Sequence, residues 1–277
     1  MKRYRVMTMD FDTRANMLSM EINGNWEEHI KNLYRNNKEQ IKDGILCEYG
    51  PLNSARKLKN FIDLGAKPIS IVAFHNKFNH QLRTAFIMGS YYPALTAACA
   101  LGERILNHMI LILREDYRNT PQYKTVYGKD SFDNWNIAID TLEAWSVMLP
   151  NVVESFRVLE EDRNRSLHFN PITDTNDRSL ALDAIMKLND IISNQFSGFG
   201  AQPWFIPDIP GLSFIKKEYE SNPFINKVYI PSCQKVGPYH RLDFKDDRFI
   251  VIDDNIYEDK DITDDEYREM FMKGRGA

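Results

Sequence analysis

The hexad Arg163-Asn164-Arg165-Ser166-Leu167-His168 gathers side chains that together can break a phosphodiester. An imidazole exchanges a proton near neutral pH in either direction. A guanidinium is permanently charged, and its planar fork matches phosphate oxygens. The Asn164 amide can hold a ribose or phosphate oxygen, or orient the imidazole. On a helix Asn164 and His168 are i,i+4 neighbours. Arg163 lies about 140° around the axis from His168, but its side chain is long enough to reach the same cleft. RNA carries its own nucleophile, the 2′-hydroxyl, already close to the phosphorus. Cleavage then needs a proton donor or acceptor and positive charge for the phosphate oxygens, and no metal. His168 suits the first role and Arg163 the second. The same letters also fit a solvated helix face that ends in a histidine.

Other residues gain interest from their surroundings. Glu103 sits in an otherwise apolar stretch, where a carboxylate is costly unless paired. It either supports Arg163 and the cleft or makes a structural ion pair, with Arg104 or with a neighbouring helix. Asn107, four residues on, shares its face. Asp162 can orient a catalytic Arg or His, or face water. Arg157 and Arg165 would widen a basic, RNA-binding patch, or simply be solvated. His75, Asn76, His80, Gln81 and Arg83 read as a helix cap more readily than as an RNA contact, and His108 as a satisfied core histidine. Trp135, Trp145, Tyr91 and Tyr92 fit a core or an interface better than base stacking.

These residues need elements to hold them. Met7, Met9 and Phe11 alternate with Thr8, Asp10 and Asp12, and Leu18, Met20 and Ile22 alternate again, which predicts an N-terminal hairpin. Asn25 and Glu28 suggest a capping box for a helix over 26–43 that stops at Gly44. Short strands are expected at 45–49 and 69–74, with a helix between them that Ser54 can cap and that ends at Gly65. From His75 the spacing turns helical. The strongest helix runs from about Pro93 to Leu113, with Pro93 tolerated in its first turn. Further helices are predicted from Asp130 or Ser131 to Pro150, from Asn151 to Pro171, and from Leu180 to Phe196. Beyond Pro203 the clearest strands are 228–230 and 249–252, and Thr263 can cap a terminal helix over 264–272.

With 277 residues and an ordinary apolar share, a core can form without disulfides or structural metal. Cys47, Cys99 and Cys233 are far apart and form no metal-ligand spacing, so neither metal nor cofactor is expected, and a reducing cytoplasmic setting suits them. Asp253, Asp254, Glu258, Asp259 and Asp261 lack EF-hand spacing. No apolar segment follows Met1-Lys2-Arg3, which argues against a signal peptide. The 93–113 helix, interrupted by Glu103, Arg104, Asn107 and His108, reads as buried, so no membrane partner is expected. Residues 243–269 hold 12 acidic and 4 basic side chains, a local −8 in a chain of −4, which leaves the rest at +4. A mildly basic body with an acidic tail is compatible with local RNA binding.

The segment from about Asn76 to Phe196 resembles a HEPN domain. The likeness rests on Arg163-Asn164 followed by His168, on an aromatic-rich first helix, and on Tyr91-Tyr92-Pro93-Ala94-Leu95 leading into Ala100-Leu101-Gly102-Glu103-Arg104-Ile105-Leu106. It covers somewhat under half of the chain. The resemblance implies a homodimer with Arg163, Asn164 and His168 of both subunits lining one cleft. It implies metal-independent endoribonuclease activity leaving a 2′,3′-cyclic phosphate, in a toxin–antitoxin, phage-defence or RNA-processing setting. RNA and an antitoxin or regulatory protein would be its partners. The family also includes members that bind or scaffold without cutting. The expected fold is therefore mainly α: a HEPN-like up-and-down helical bundle over 76–200, a small N-terminal α/β unit over 1–75, and a C-terminal extension of short strands and acidic tail over 201–277.

Overall fold

Helix α5 (Tyr91–Leu113) is the axis around which the protein is built, as the apolar density of its sequence demands. The computed structural model describes residues 1–7, 12–167, 171–245, 248–258 and 260–275. In chain order, β1 (Arg3–Val6) leads to α1 (Arg14–Ser19), α2 (Glu28–Tyr49), α3 (Ser54–Asp63) and α4 (Ala73–Ile87). After α5 come the one-turn α6 (Tyr123–Val126), then α7 (Trp135–Ala144), α8 (Pro150–Leu167) and α9 (Pro171–Gln195). The C-terminal part holds β2 (Cys233–Val236), β3 (Arg241–Lys245), β4 (Arg248–Ile252) and α10 (Asp264–Arg275). The protein is thus mainly helical, with two small antiparallel sheets.

Helices α4, α7, α8 and α9 surround α5. By length and composition α5 could cross a membrane, yet Leu95, Ala98, Leu101, Ile105, Leu106, Met109, Ile110 and Leu113 are all buried by these neighbours. His108 lies on the outer face of α5, exposed and edge-on to Phe74 at 5.1 Å, so it is not the core histidine expected. Within α4, His75, Asn76 and Arg83 of the polar cluster turn inward, while His80 and Gln81 are exposed. Asn76 hydrogen-bonds both backbone groups of Ser70, at 3.2 and 2.8 Å. His75 Nδ1 meets Ser70 Oγ at 2.9 Å, and Arg83 donates to the carbonyls of Leu64 and Gly65. These groups tie the α3–α4 connection to α4 rather than capping the helix, whose N-cap position is Val72.

The first residues depart from the expected hairpin. Leu18 belongs to α1, where Ala15 and Leu18 are buried at helical spacing. Strand β1 pairs instead with β2, Arg3 opposite Val236 and Val6 opposite Cys233. Alternation concealed this because the inward residues of β1 include Arg3 and Arg5, both buried. Met9, Phe11, Thr8 and Asp10 lie outside the described residues. The strand expected at 45–49 is the last turn and more of α2, which runs through Gly44. Its start is also later than expected: Glu27 is the N-cap residue, and it supplies no side-chain hydrogen bond. At 69–74 only Ser70 bridges to Ser197 before α4 begins.

Asn134, not Asp130 or Ser131, caps α7 by accepting from the Ile137 amide. Pro171 opens α9 rather than closing α8, which suits a residue with no N–H to donate. That helix begins nine residues ahead of Leu180, with a break in helical geometry at Asn176 (φ −136°). Residues 225–229 form a π turn in place of the strand expected at 228–230. There Tyr229 is fully buried and donates to the carbonyls of Gln195 and Ser197. The strand expected at 249–252 does form, as β4 paired antiparallel with β3, and Thr263 caps α10 through a reciprocal pair with Glu266. Beside the main core a second, smaller cluster of Ile206, Ile209, Phe214, Val236, Ile262, Tyr267 and Phe271 underlies this C-terminal part.

Candidate functional site

Three helices bring the site together at the point where α5, α7 and α8 meet. Gly102 on α5 makes the approach possible: a Cβ there would stand 2.7 Å from Trp135 Cη2 and 2.9 Å from Leu159 Cδ2. The next residue, Glu103, falls at the margin of the buried face, with its side chain 33% exposed. Its Oε2 accepts from Trp135 Nε1 at 3.0 Å and from Arg163 Nη2 at 3.2 Å. The Arg163 guanidinium also lies 5.6 Å from the Trp135 ring centre. An ion pair, an indole hydrogen bond and a cation–π contact thus fix one arginine, which is only 23% exposed. Glu103 thus makes an ion pair with Arg163 of a neighbouring helix, a geometry that both readings of this carboxylate share.

Asn164 is exposed beside this clamp, its Oδ1 3.4 Å from Arg163 Nη1. His168 lies outside the described residues; α8 is described as far as Leu167. The other named residues turn to structural tasks. Asn107 donates to the Glu103 and Phe132 carbonyls and accepts from the Phe132 amide at 2.6 Å, stapling the segment ahead of α7 to α5. Asp162 is 4% exposed. It pairs with Arg165, and its second oxygen has no hydrogen-bond partner. Burial raises its carboxyl above the usual range, with Arg165 opposing. Cys99 shares this inner surface, its thiol pushed up to about 12 by burial and then by the Asp162 charge.

Arg157 is held by Asn136 Oδ1 at 2.7 Å, by Asp140, and by Glu143 at 3.9 Å. Glu160 accepts from Asn136 Nδ2 at 2.8 Å, and burial raises its carboxyl. Arg157, Arg163 and Arg165 thus each face a carboxylate. Arg157 and Arg165 along α8 are ion-paired while still reaching solvent. What remains chemically is one pre-oriented guanidinium, with an exposed amide next to it, at the end of α8.

Trp135 is the site residue that sequence reasoning placed in a core or an interface and not in the site. A signal for it existed: a buried indole N–H needs an acceptor, and a carboxylate in an apolar helix needs a donor. Trp145 and Tyr91 fill structural roles, while Tyr92 is exposed. Trp145 stacks on Tyr117 at 4.6 Å and donates to Thr120, while Tyr91 bonds to Asn60. Among the described residues no three His, Cys, Asp or Glu side chains are grouped to hold a metal ion. Compared with known proteins, the chain matches no family profile, no curated protein and no solved structure.

Proposed function

We propose that the protein is a metal-independent endoribonuclease of the HEPN type, acting as a cytoplasmic homodimer. The observation that carries this reading is the Glu103–Arg163–Trp135 clamp. A guanidinium held on two sides is ready to meet a phosphate without first losing its own freedom. In this reading His168 moves the proton between the 2′-hydroxyl and the leaving oxygen, and Asn164 holds a ribose or phosphate oxygen. Arg163 balances the charge that builds on the non-bridging oxygens. The 2′-oxygen bonds to phosphorus as the 5′-oxygen departs, giving a 2′,3′-cyclic phosphate and a 5′-hydroxyl. A second protomer supplies the same residues across the cleft. A toxin or phage-defence role, restrained by an antitoxin or regulatory protein, is the setting that fits such an activity.

The test is cleavage of total RNA in EDTA by the wild type and by His168→Ala and Arg163→Ala, with dimerisation followed by light scattering. Cleavage by the wild type alone, with all three dimeric, supports the proposal. One observation favours a second reading, a non-cleaving RNA- or nucleotide-binding or scaffold module: all three arginines of α8 already hold carboxylates. Wild-type protein inert on tRNA, rRNA and mRNA would transfer the case to that reading.

A further inference from the structure

Strand β1 carries two buried arginines on one face, and they are treated very differently. Arg3, 1% exposed, donates to Asp264 and to the Ile262 carbonyl, so its charge is answered. Arg5, two residues on and 6% exposed, has no carboxylate partner among the described residues. Its Nη1 lies 2.6 Å from His240 Nε2, and its Nε is buried with no hydrogen-bond partner. His240 cannot answer the charge. Its Nδ1 sits 2.6 Å from the Gly237 carbonyl, an acceptor only, so Nδ1 carries the proton and Nε2 is the bare nitrogen facing Arg5. Burial and the Arg5 charge lower the imidazole's proton affinity, and the Gly237 carbonyl only partly offsets this.

Arg5 lines a cavity of about 440 Å³ between β1, the start of β3 and the end of α10. Arg241 and Arg275, both exposed, line it too, together with Tyr239 and Phe271, and no lining residue is acidic. Asp253, whose charge acts on His240, is engaged by Lys2 at 3.1 Å, by the Tyr257 hydroxyl at 2.6 Å and by the Gly237 amide at 3.0 Å. Arg275 answers in part the negative end of α10. That account does not extend to Arg5, which is on a strand and reaches the cavity with only 6% of its surface exposed.

A buried cation without a counter-charge is costly to keep, and an anion in the cavity would supply what no side chain does. We propose that this cavity is a binding site for a phosphate-bearing small molecule, its phosphoryl oxygens held by Arg5, Arg241 and Arg275. Three guanidiniums around one opening suit the several oxygens of a phosphoryl group. The volume exceeds what a bare phosphate fills, and the Tyr239 and Phe271 rings offer an apolar wall for the rest of the ligand. The site is separate from the α5–α7–α8 clamp and stands whether or not the protein cuts RNA.

The test is calorimetric titration of the full chain with inorganic phosphate, adenosine 5′-monophosphate and adenosine, in chloride buffer. Saturable one-to-one binding of phosphate or the monophosphate, without binding of adenosine, is expected. Tighter binding of the monophosphate identifies a nucleotide-borne phosphoryl group as the ligand; equal affinities identify the phosphoryl group alone. Arg241→Ala and Arg275→Ala are exposed changes that leave the core intact, and each should weaken binding about tenfold, the loss of one charge-assisted contact. Arg118→Ala, distant and exposed, should leave it unchanged. Arg5→Met should abolish binding with the fold kept, read by circular dichroism. Absence of saturable binding to either phosphate compound, or binding indifferent to both Arg241→Ala and Arg275→Ala, overturns the proposal.

Discussion

Gly102→Ala sets two physical effects against each other, and the structure decides the sign. Helix propensity alone favours alanine over glycine in a helix interior by roughly 0.5–1 kcal/mol. At Gly102, however, the new methyl would stand 2.7 Å from Trp135 and 2.9 Å from Leu159, and both side chains are fully buried. Trp135 has little room to yield, because its indole N–H is fastened to Glu103. Overpacking of a filled core costs about 1–3 kcal/mol. The balance is a net loss of about 1 kcal/mol, which lowers the melting temperature by about 2–4 °C at this chain size. Gly44 in α2 provides the internal control: it is exposed, and an added methyl meets nothing within 4 Å. Gly44→Ala should therefore gain about 0.5–1 kcal/mol. Urea unfolding followed by circular dichroism measures both. If Gly102→Ala is stabilised as much as Gly44→Ala, the close approach of α5, α7 and α8 described above is wrong.

Other consequences can be checked in the same way. A double-mutant cycle of Glu103→Gln and Arg163→Gln should give a coupling of about 0.5–1 kcal/mol, since both side chains are partly exposed and water screens the pair; additive effects would mean that the clamp does not form in solution. His75 is buried, and desolvation holds its imidazole at about 3, below the ordinary 6.5. The unfolded chain therefore takes up this proton first, so the stabilisation is complete above about 6.5 and is lost as pH falls toward 3, at up to about 1.4 kcal/mol per pH unit. His75→Gln should flatten that slope in urea unfolding between pH 7 and 4.5, and equal slopes for mutant and wild type would contradict the assignment. Arg157→Ala should cost under about 1 kcal/mol of stability and leave RNA affinity within about twofold, because Asp140 and Glu143 already neutralise the charge. A tenfold loss of affinity, measured by filter binding, would put Arg157 on the RNA after all.

The helices that frame the clamp were legible because their information is local. The apolar spacing from Pro93 to Leu113 matched α5 closely, and Glu103 stood out as a carboxylate with no reason to be there. Thr263 announced α10, and the structure completes the cap within four residues through Glu266. The failures came where distant residues decide. Nothing near Arg3 signals that it would be buried against Asp264, so the strand at 3–6 could not be read from polarity. Gly44 looked like a stop, yet a single glycine costs only about 1 kcal/mol and the rest of α2 outweighs it. The ion pairs of the α8 arginines could not be read from the sequence, because their carboxylates lie on α5 and α7 or face inward.

The pairing of β1 with β2 also sets a timetable for making the protein. Arg3 and its partner Asp264 are 261 residues apart in the chain. At about 5–20 residues per second, a ribosome needs tens of seconds to deliver the second after the first. The helices around α5 depend on no such delay and can close early. During that interval the segment 3–6 is an unpaired strand with two arginines that have no burial site, which keeps it in water rather than in a wrong sheet. Sealing the last seam is therefore the step that trails synthesis, and contacts this far apart also form slowly once both ends exist.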